Sequence, residues 1–226
     1  SMTRIDEFIN LRSLYISNDD VQSTLIGIEH LINLTSLHIT SGITKPLYNL
    51  SGIEKLTNLL SLHITSNFHY NIHPPIITLE IEQLTKLESL YINNNPCIKS
   101  SGIIQLTNLQ TLDIQKYTNN NINVVEINQL TNLQTLHIYY LNSLLEINQL
   151  TNLQTLQINS SELTTLSGIE KLTNLQTLHT IHCPKLITIS GIEQLTNLQT
   201  LHTINCHNLT TLSGIEKLTN LQTLQI

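Results

Sequence analysis

The chain has 226 residues, of which 40% are hydrophobic and only 12% charged, and its formal net charge is −6. No run of Lys and Arg is present to release counterions from phosphate, so nucleic acid is excluded as the expected partner. No apolar stretch approaches the roughly 18–20 residues that would span a bilayer. The three cysteines, Cys97, Cys183 and Cys206, are an odd number with no CxxC spacing, which points to free thiols in a reducing compartment.

The chain opens with Ser1-Met2, which reads as a tag remnant; no signal peptide is visible, and a natural one would have been removed ahead of such a remnant. From there one pattern recurs to the last residue. A pair of apolar residues two apart marks a strand with both side chains inward and the residue between them outward. The pairs are Leu14/Ile16, Leu37/Ile39, Leu62/Ile64, Leu90/Ile92, Leu112/Ile114, Leu136/Ile138, Leu156/Ile158, Leu178/Thr180, Leu201/Thr203 and Leu224/Ile226. Before each strand, apolar residues fall three apart, as at Ile127, Leu130 and Leu133. That spacing predicts a tight 3₁₀-like return segment with one face inward. The string LTNLQTL occurs six times, starting at Leu106, Leu130, Leu150, Leu172, Leu195 and Leu218, with looser copies from Leu31, Leu56 and Leu84. Such recurrence marks one unit stacked on itself, with strands pairing in parallel over a shared core. Spacing drifts, from 28 residues between Leu62 and Leu90 to 20 between Leu136 and Leu156. The longest insertion, residues 66–78, carries Phe68, Tyr70, His73, Pro74 and Pro75 and is expected to bulge out.

These offsets resemble the leucine-rich repeat family, whose strand motif is LxxLxLxxN or LxxLxLxxC. Leu87-Glu-Ser-Leu90-Tyr-Ile92-Asn-Asn-Asn95 and Leu59-Leu-Ser-Leu62-His-Ile64-Thr-Ser-Asn67 match throughout, and the Cys form fits Leu175 to Cys183 and Leu198 to Cys206. The similarity runs from about Ile5 to Ile226 and is greatest to internalin-type and phosphatase-regulator-type repeats. It implies a right-handed α/β horseshoe: one domain over 1–226, about ten parallel strands on the concave side, and short turns or 3₁₀ segments on the convex side. The final motif position departs from the pattern, holding Gly42, Tyr117, Leu141 and Ser161, so those turns are expected to be remodelled. Neither end shows a polar capping repeat, so the polypeptide reads as a fragment of a longer protein; the rival is self-association through the last strand edge.

The outward strand positions read Tyr15, His38, His63, Tyr91, Asp113, His137, Gln157, His179, His202 and Gln225. Adjacent imidazoles raise the possibility of a metal site at His179, His182 and His202, but two rings and one neighbour fall short of the four ligands a structural zinc takes. No metal or other cofactor is expected. Residues just after the strands extend this face. The expected partner-binding residues are Tyr91, Asp113, Lys116, His137, Tyr139, Tyr140, His179, Ile181, His182, His202 and Ile204, a polar set with aromatic and aliphatic anchors. Ile181 and Ile204 point outward if Thr180 and Thr203 take the inward slots; the competing reading is a bulge that buries the Ile. Cys183 and Cys206 read as buried thiols in the turn slot. No nucleophile, base and orienting group converge in a pocket, so no enzyme is expected. The resemblance implies a non-catalytic scaffold or regulator that binds a protein partner, with a cytoplasmic location favoured. A secreted or surface adhesin like the internalins is the alternative, and a metal-binding protein the third.

Overall fold

The computed structural model describes residues 5–18, 25–42, 50–66, 79–93, 100–115 and 124–226. Lys116, Tyr117, Cys97, Asn67, Asn95 and all of the 66–78 insertion beyond Ser66 lie outside them. The chain divides into two compact units, residues 1–126 and 127–226. In the first, strands β1 (Ser13–Asn18), β2 (Ser36–Ser41), β3 (Ser61–Ser66), β4 (Ser89–Asn93) and β5 (Thr111–Gln115) follow one another in parallel. In the second, the same holds for β6 (Thr135–Tyr139), β7 (Thr155–Asn159), β8 (Thr177–Ile181), β9 (Thr200–Ile204) and β10 (Thr223–Gln225).

Register within each unit is set by the repeat itself. Leu37 pairs with Leu62, and Leu178 with Leu201, so equal positions in successive coils lie side by side. A one-residue slip would turn every inward Leu and Ile to water. Between the terminal strands the inward residues are sealed: Leu136 is 0% and Ile138 3% exposed, while His137 between them is partly exposed. The expected inward pair Leu224 and Ile226 is instead 48% and 60% exposed, with no following coil among the described residues packed over it. The predicted return segments also form. Leu130 N donates to Ile127 O at 2.9 Å and Leu133 N to Leu130 O at 3.0 Å, the i to i+3 pattern that lets every third residue point inward. Short 3₁₀ segments follow the SGI turns, at Ile53–Lys55 in the first unit and at Ile169–Lys171, Ile192–Gln194 and Ile215–Lys217 in the second.

Two further bonding columns tie each coil to the one before it. The carbonyl of Gln154 accepts from Gln176 N at 2.8 Å and from Thr177 N at 2.9 Å, and the corresponding bonds recur at the entry to other strands. The Asn of the LTNL string adds a side-chain rung. Asn174 Nδ2 donates to Thr151 O at 2.9 Å, Asn197 Nδ2 to Thr173 O at 2.9 Å, and Asn58 Nδ2 to Ile32 O at 2.9 Å. Each rung satisfies a carbonyl that no strand reaches.

The final motif position needs correction. Gly42 and Ser161 do not fill the turn slot; Ser41 and Ser160, one residue earlier, are buried in it. Leu141, Cys183 and Cys206 do occupy the expected position and are buried. Backbone conformation makes the difference. Tyr140, His182 and Asn205 have φ of 62°, 51° and 56°, in the left-handed region. One such residue interrupts strand alternation, so the next inward side chain comes one position later. Where the chain stays extended, as at Ser41 in β2, alternation carries straight on.

The SGI glycines meet a stricter demand. Gly168 has φ of 104°, and a Cβ there would sit 2.8 Å from Leu145 N and 3.0 Å from Leu144 C, both backbone atoms of the preceding coil. At Gly191, also at positive φ, the nearest atom is a side-chain methyl at 3.4 Å. Gly168→Ala is therefore expected to cost about 1–3 kcal/mol, and clearly more than Gly191→Ala. Urea unfolding of the two variants checks the order.

Candidate functional site

The outward row of the first unit is a run of rings. Tyr15 and His38 have centroids 4.5 Å apart, His38 and His63 stack at 3.9 Å and 12°, and His63 and Tyr91 stack at 5.3 Å and 17°. In-register parallel strands leave these side chains about one strand spacing apart, so flat rings lie face to face. Each imidazole is also held at its edge: Thr40 Oγ1 is 3.1 Å from His38 Nε2, and Thr65 Oγ1 is 2.9 Å from His63 Nε2. Asp113 on β5 follows Tyr91 in the row.

The second unit brings together most of the expected partner-binding residues. His179 and His202 stack at 4.6 Å with planes 2° apart, and Ile181 and Ile204 are paired beside them. Thr180 and Thr203 are buried at 0% and 2% and the two Ile side chains lie outward, so the bulge alternative does not occur. Tyr139 and Tyr140 are 6.5 Å apart between centroids, and Tyr140 is 47% exposed. The left-handed turn that places Tyr140 outward also places His182, whose Nδ1 lies 3.3 Å from Asn205 Nδ2. Gln157 and Asn159 on β7 sit between these groups in register, a contribution the sequence reading did not weigh.

Titration is biased toward neutral rings. Burial holds His38 below the ordinary value of 6.5. Burial does the same for His63, aided by neighbouring His38 and opposed by Asp113. His179 is lowered by burial, then by His202 and His137, and its Nε2 is buried without a hydrogen-bond partner. The stacked planes at His179 and His202 are nearly parallel, whereas metal ligands must aim their lone pairs at one point. Among the described residues no group of three His, Cys, Asp or Glu side chains is arranged to hold a metal.

Behind this face, Cys183 and Cys206 are free buried thiols. Cys206 Sγ lies 3.6 Å from Thr180 Oγ1, and donates at 3.6 Å to Thr180 O and Ile204 O; Cys183 Sγ donates at 3.6 Å to Ile181 O. The hydrogen bond between the two thiols, with burial, pushes Cys183 up. The same hydrogen bond is the main cause that holds Cys206 below the ordinary thiol value, with burial opposing it, and both sulfurs lie buried behind the strand face.

No protein-family model matches the chain, and no curated protein does. Solved structures do match. An internalin from Listeria monocytogenes superposes over 98% of this chain and 68% of its own, with TM-score 0.68 and 20% identity. The plant peptide hormone receptor RGFR1, solved in complex with RGF2, matches 96% of this chain and 34% of its own, with TM-score 0.61 and 21% identity. TLR13, solved in a complex with ssRNA13, matches 96% and 32%, with TM-score 0.55 and 19% identity. The fold is that of the leucine-rich repeat proteins. Among the described residues, no helix is long and apolar enough to cross a membrane.

Acid should loosen the molecule. A lowered histidine pKa means that the unfolded chain takes up protons first as pH falls below 6.5. The stability that comes from neutral rings is complete above that value and is lost between it and the lowered folded values. The melting temperature is expected to fall from about pH 7.5 to about pH 5. His38→Gln with His63→Gln should flatten the fall, as scanning calorimetry at both pH values can measure.

Proposed function

We propose that this leucine-rich repeat chain is a non-catalytic protein-interaction module whose outward strand residues contact a partner. The observation that carries the reading is the second unit's strand face, where Tyr139, Tyr140, Ile181 and Ile204 stand outward among uncharged polar side chains. Aromatic and aliphatic anchors within a polar surround are the make-up of binding hot spots. A parallel sheet also presents them on a preformed backbone, so little ordering entropy is lost on association. The peptide-hormone receptor complex supports this use of the fold. The ssRNA complex shows that the fold alone does not fix the class of partner. The lack of any basic cluster in this sequence favours protein over RNA. Scaffold or regulator is the better description of the module than metal-binding protein, because the imidazole pairs lie parallel and do not converge.

A pull-down comparing wild type with a Tyr139→Ala, Tyr140→Ala double variant tests the reading. Both side chains lie on the outer face, and near-native circular dichroism is expected. Recovery of a protein partner should fall at least tenfold in the double variant, about 1.4 kcal/mol or more of lost contact. Equal recovery would move the binding surface elsewhere, and nuclease-sensitive recovery would point to nucleic acid.

A further inference from the structure

Formal charge is almost absent from the strands. Among the described residues, Asp113 is the one Asp, Glu, Lys or Arg in the ten strands. In the second unit, residues 127–226, the strands carry none at all. The carboxylates of that unit are committed to the return segments and turns. Glu170, Glu193 and Glu216 accept from the backbone N of Gly168, Gly191 and Gly214 at 2.8, 2.8 and 3.0 Å, and Glu162 is paired with Lys185 at 2.6 Å. In a protein of net charge −6, this face has been kept neutral, and imidazole is the one group on it that can become charged near physiological pH.

We propose that the strand face of the second unit docks a protein segment that carries no formal charge, and releases it on acidification. The inference rests on the protein-interaction reading above and narrows it to one partner chemistry. A charged partner group laid on β6 to β10 would give up its hydration without meeting a counter-charge, a cost that an uncharged segment avoids. Apolar partner side chains would find the paired Ile181 and Ile204, and partner amides the Gln157 and Asn159 side chains.

Acid sensitivity follows from what surrounds the imidazoles. His179 faces His202 on β9 and Gln157 on β7, with His137 on β6 beyond, and His202 faces Gln225 on β10. On the adjoining turn, His182 is next to Asn205. Among the described residues, no strand paired beside His179 or His202 supplies a carboxylate. A proton taken up by His179 or His202 beneath a docked partner would be a buried cation beside other imidazoles and neutral amides. The free face can accept that proton with water beside it. Protonation therefore favours the free state, and burial already holds His179 in the neutral form.

The test is selection of peptides from a random dodecapeptide display library on the immobilised chain at about pH 7.5, followed by titration of synthetic winners at that pH and about pH 5.5. Winners should be depleted in Asp, Glu, Lys and Arg, and should lose binding to an Ile181→Asp, Ile204→Asp variant. Their affinity should fall severalfold at the lower pH, since a single pKa lowered by one unit on binding sets a limit of about tenfold that is reached only in stronger acid. His179→Gln with His202→Gln should keep affinity at the higher pH and lose most of the pH dependence. Acidic winners that bind more tightly in acid, or winners indifferent to pH, would overturn the inference while leaving the face as a docking surface. Winners unaffected by the Ile substitutions, or no winners at all, would overturn the docking surface as well. The pH titration of the wild-type chain stands on its own should a substitution disturb folding.

Discussion

The hydrogen bonding of each coil to the one before it, in strict register, is the constraint on which the other features of each unit depend. Parallel strand ladders set the spacing at about 4.8 Å. The shared carbonyls of Gln154 and its equivalents, and the Asn side chains of the LTNL strings, continue that bonding where the strands stop. Once register is fixed, a residue at one position must lie beside the residue at the same position of the next coil. Leu on Leu makes the core without further specification. The same rule places His38 on His63 and His179 on His202 whether or not a pair of imidazoles would choose each other in solution.

A polar corner of the second unit shows how such a stack tolerates variation. In β8 and β9 the usual inward Ile is Thr, at Thr180 and Thr203, and both are buried. Two coils change together, so the buried hydroxyls lie in register, and each has its own partner: Thr180 Oγ1 reaches Cys206 Sγ, and Thr203 Oγ1 donates to Gln225 O at 3.5 Å. The adjoining Ile181 and Ile204 then take outward positions, so the surface gains two aliphatic side chains from the same exchange.

Much of this was legible in the residues because the signal is a period. Two-residue spacing gave the inward and outward sides of the strands, including the inversion at Thr180 and Thr203. Three-residue spacing gave the tight returns. Backbone conformation was not legible at the strand exits. Tyr140, His182 and Asn205 adopt positive φ without being glycine; Asn and His enter that region more readily than most residues, but Tyr140 carries no such signal to separate it from Ser41 or Ser160, where the turn slot is filled one residue sooner. Asn in the LTNL string was visible as an invariant, yet its rung to the preceding coil needs coordinates. At the candidate site, the column of outward residues could be written down from sequence. The face-to-face stacking of its rings, and the Thr40 and Thr65 hydroxyls at their edges, could not. Lys116, expected in the same surface, lies outside the described residues.

The placement of charge has a consequence for how fast anything can arrive. The Glu and Lys residues of the second unit sit on its turns and return segments, leaving β6 to β10 without a fixed charge of either sign. Long-range attraction is what lifts encounter rates above the roughly 10⁵–10⁶ M⁻¹s⁻¹ of unsteered docking, and it fades as salt is added. Contact with the strand face near neutral pH would lack that guidance. Capture would proceed at an ordinary diffusive pace, nearly indifferent to ionic strength, and the lifetime of a complex would rest on how well its surfaces fit.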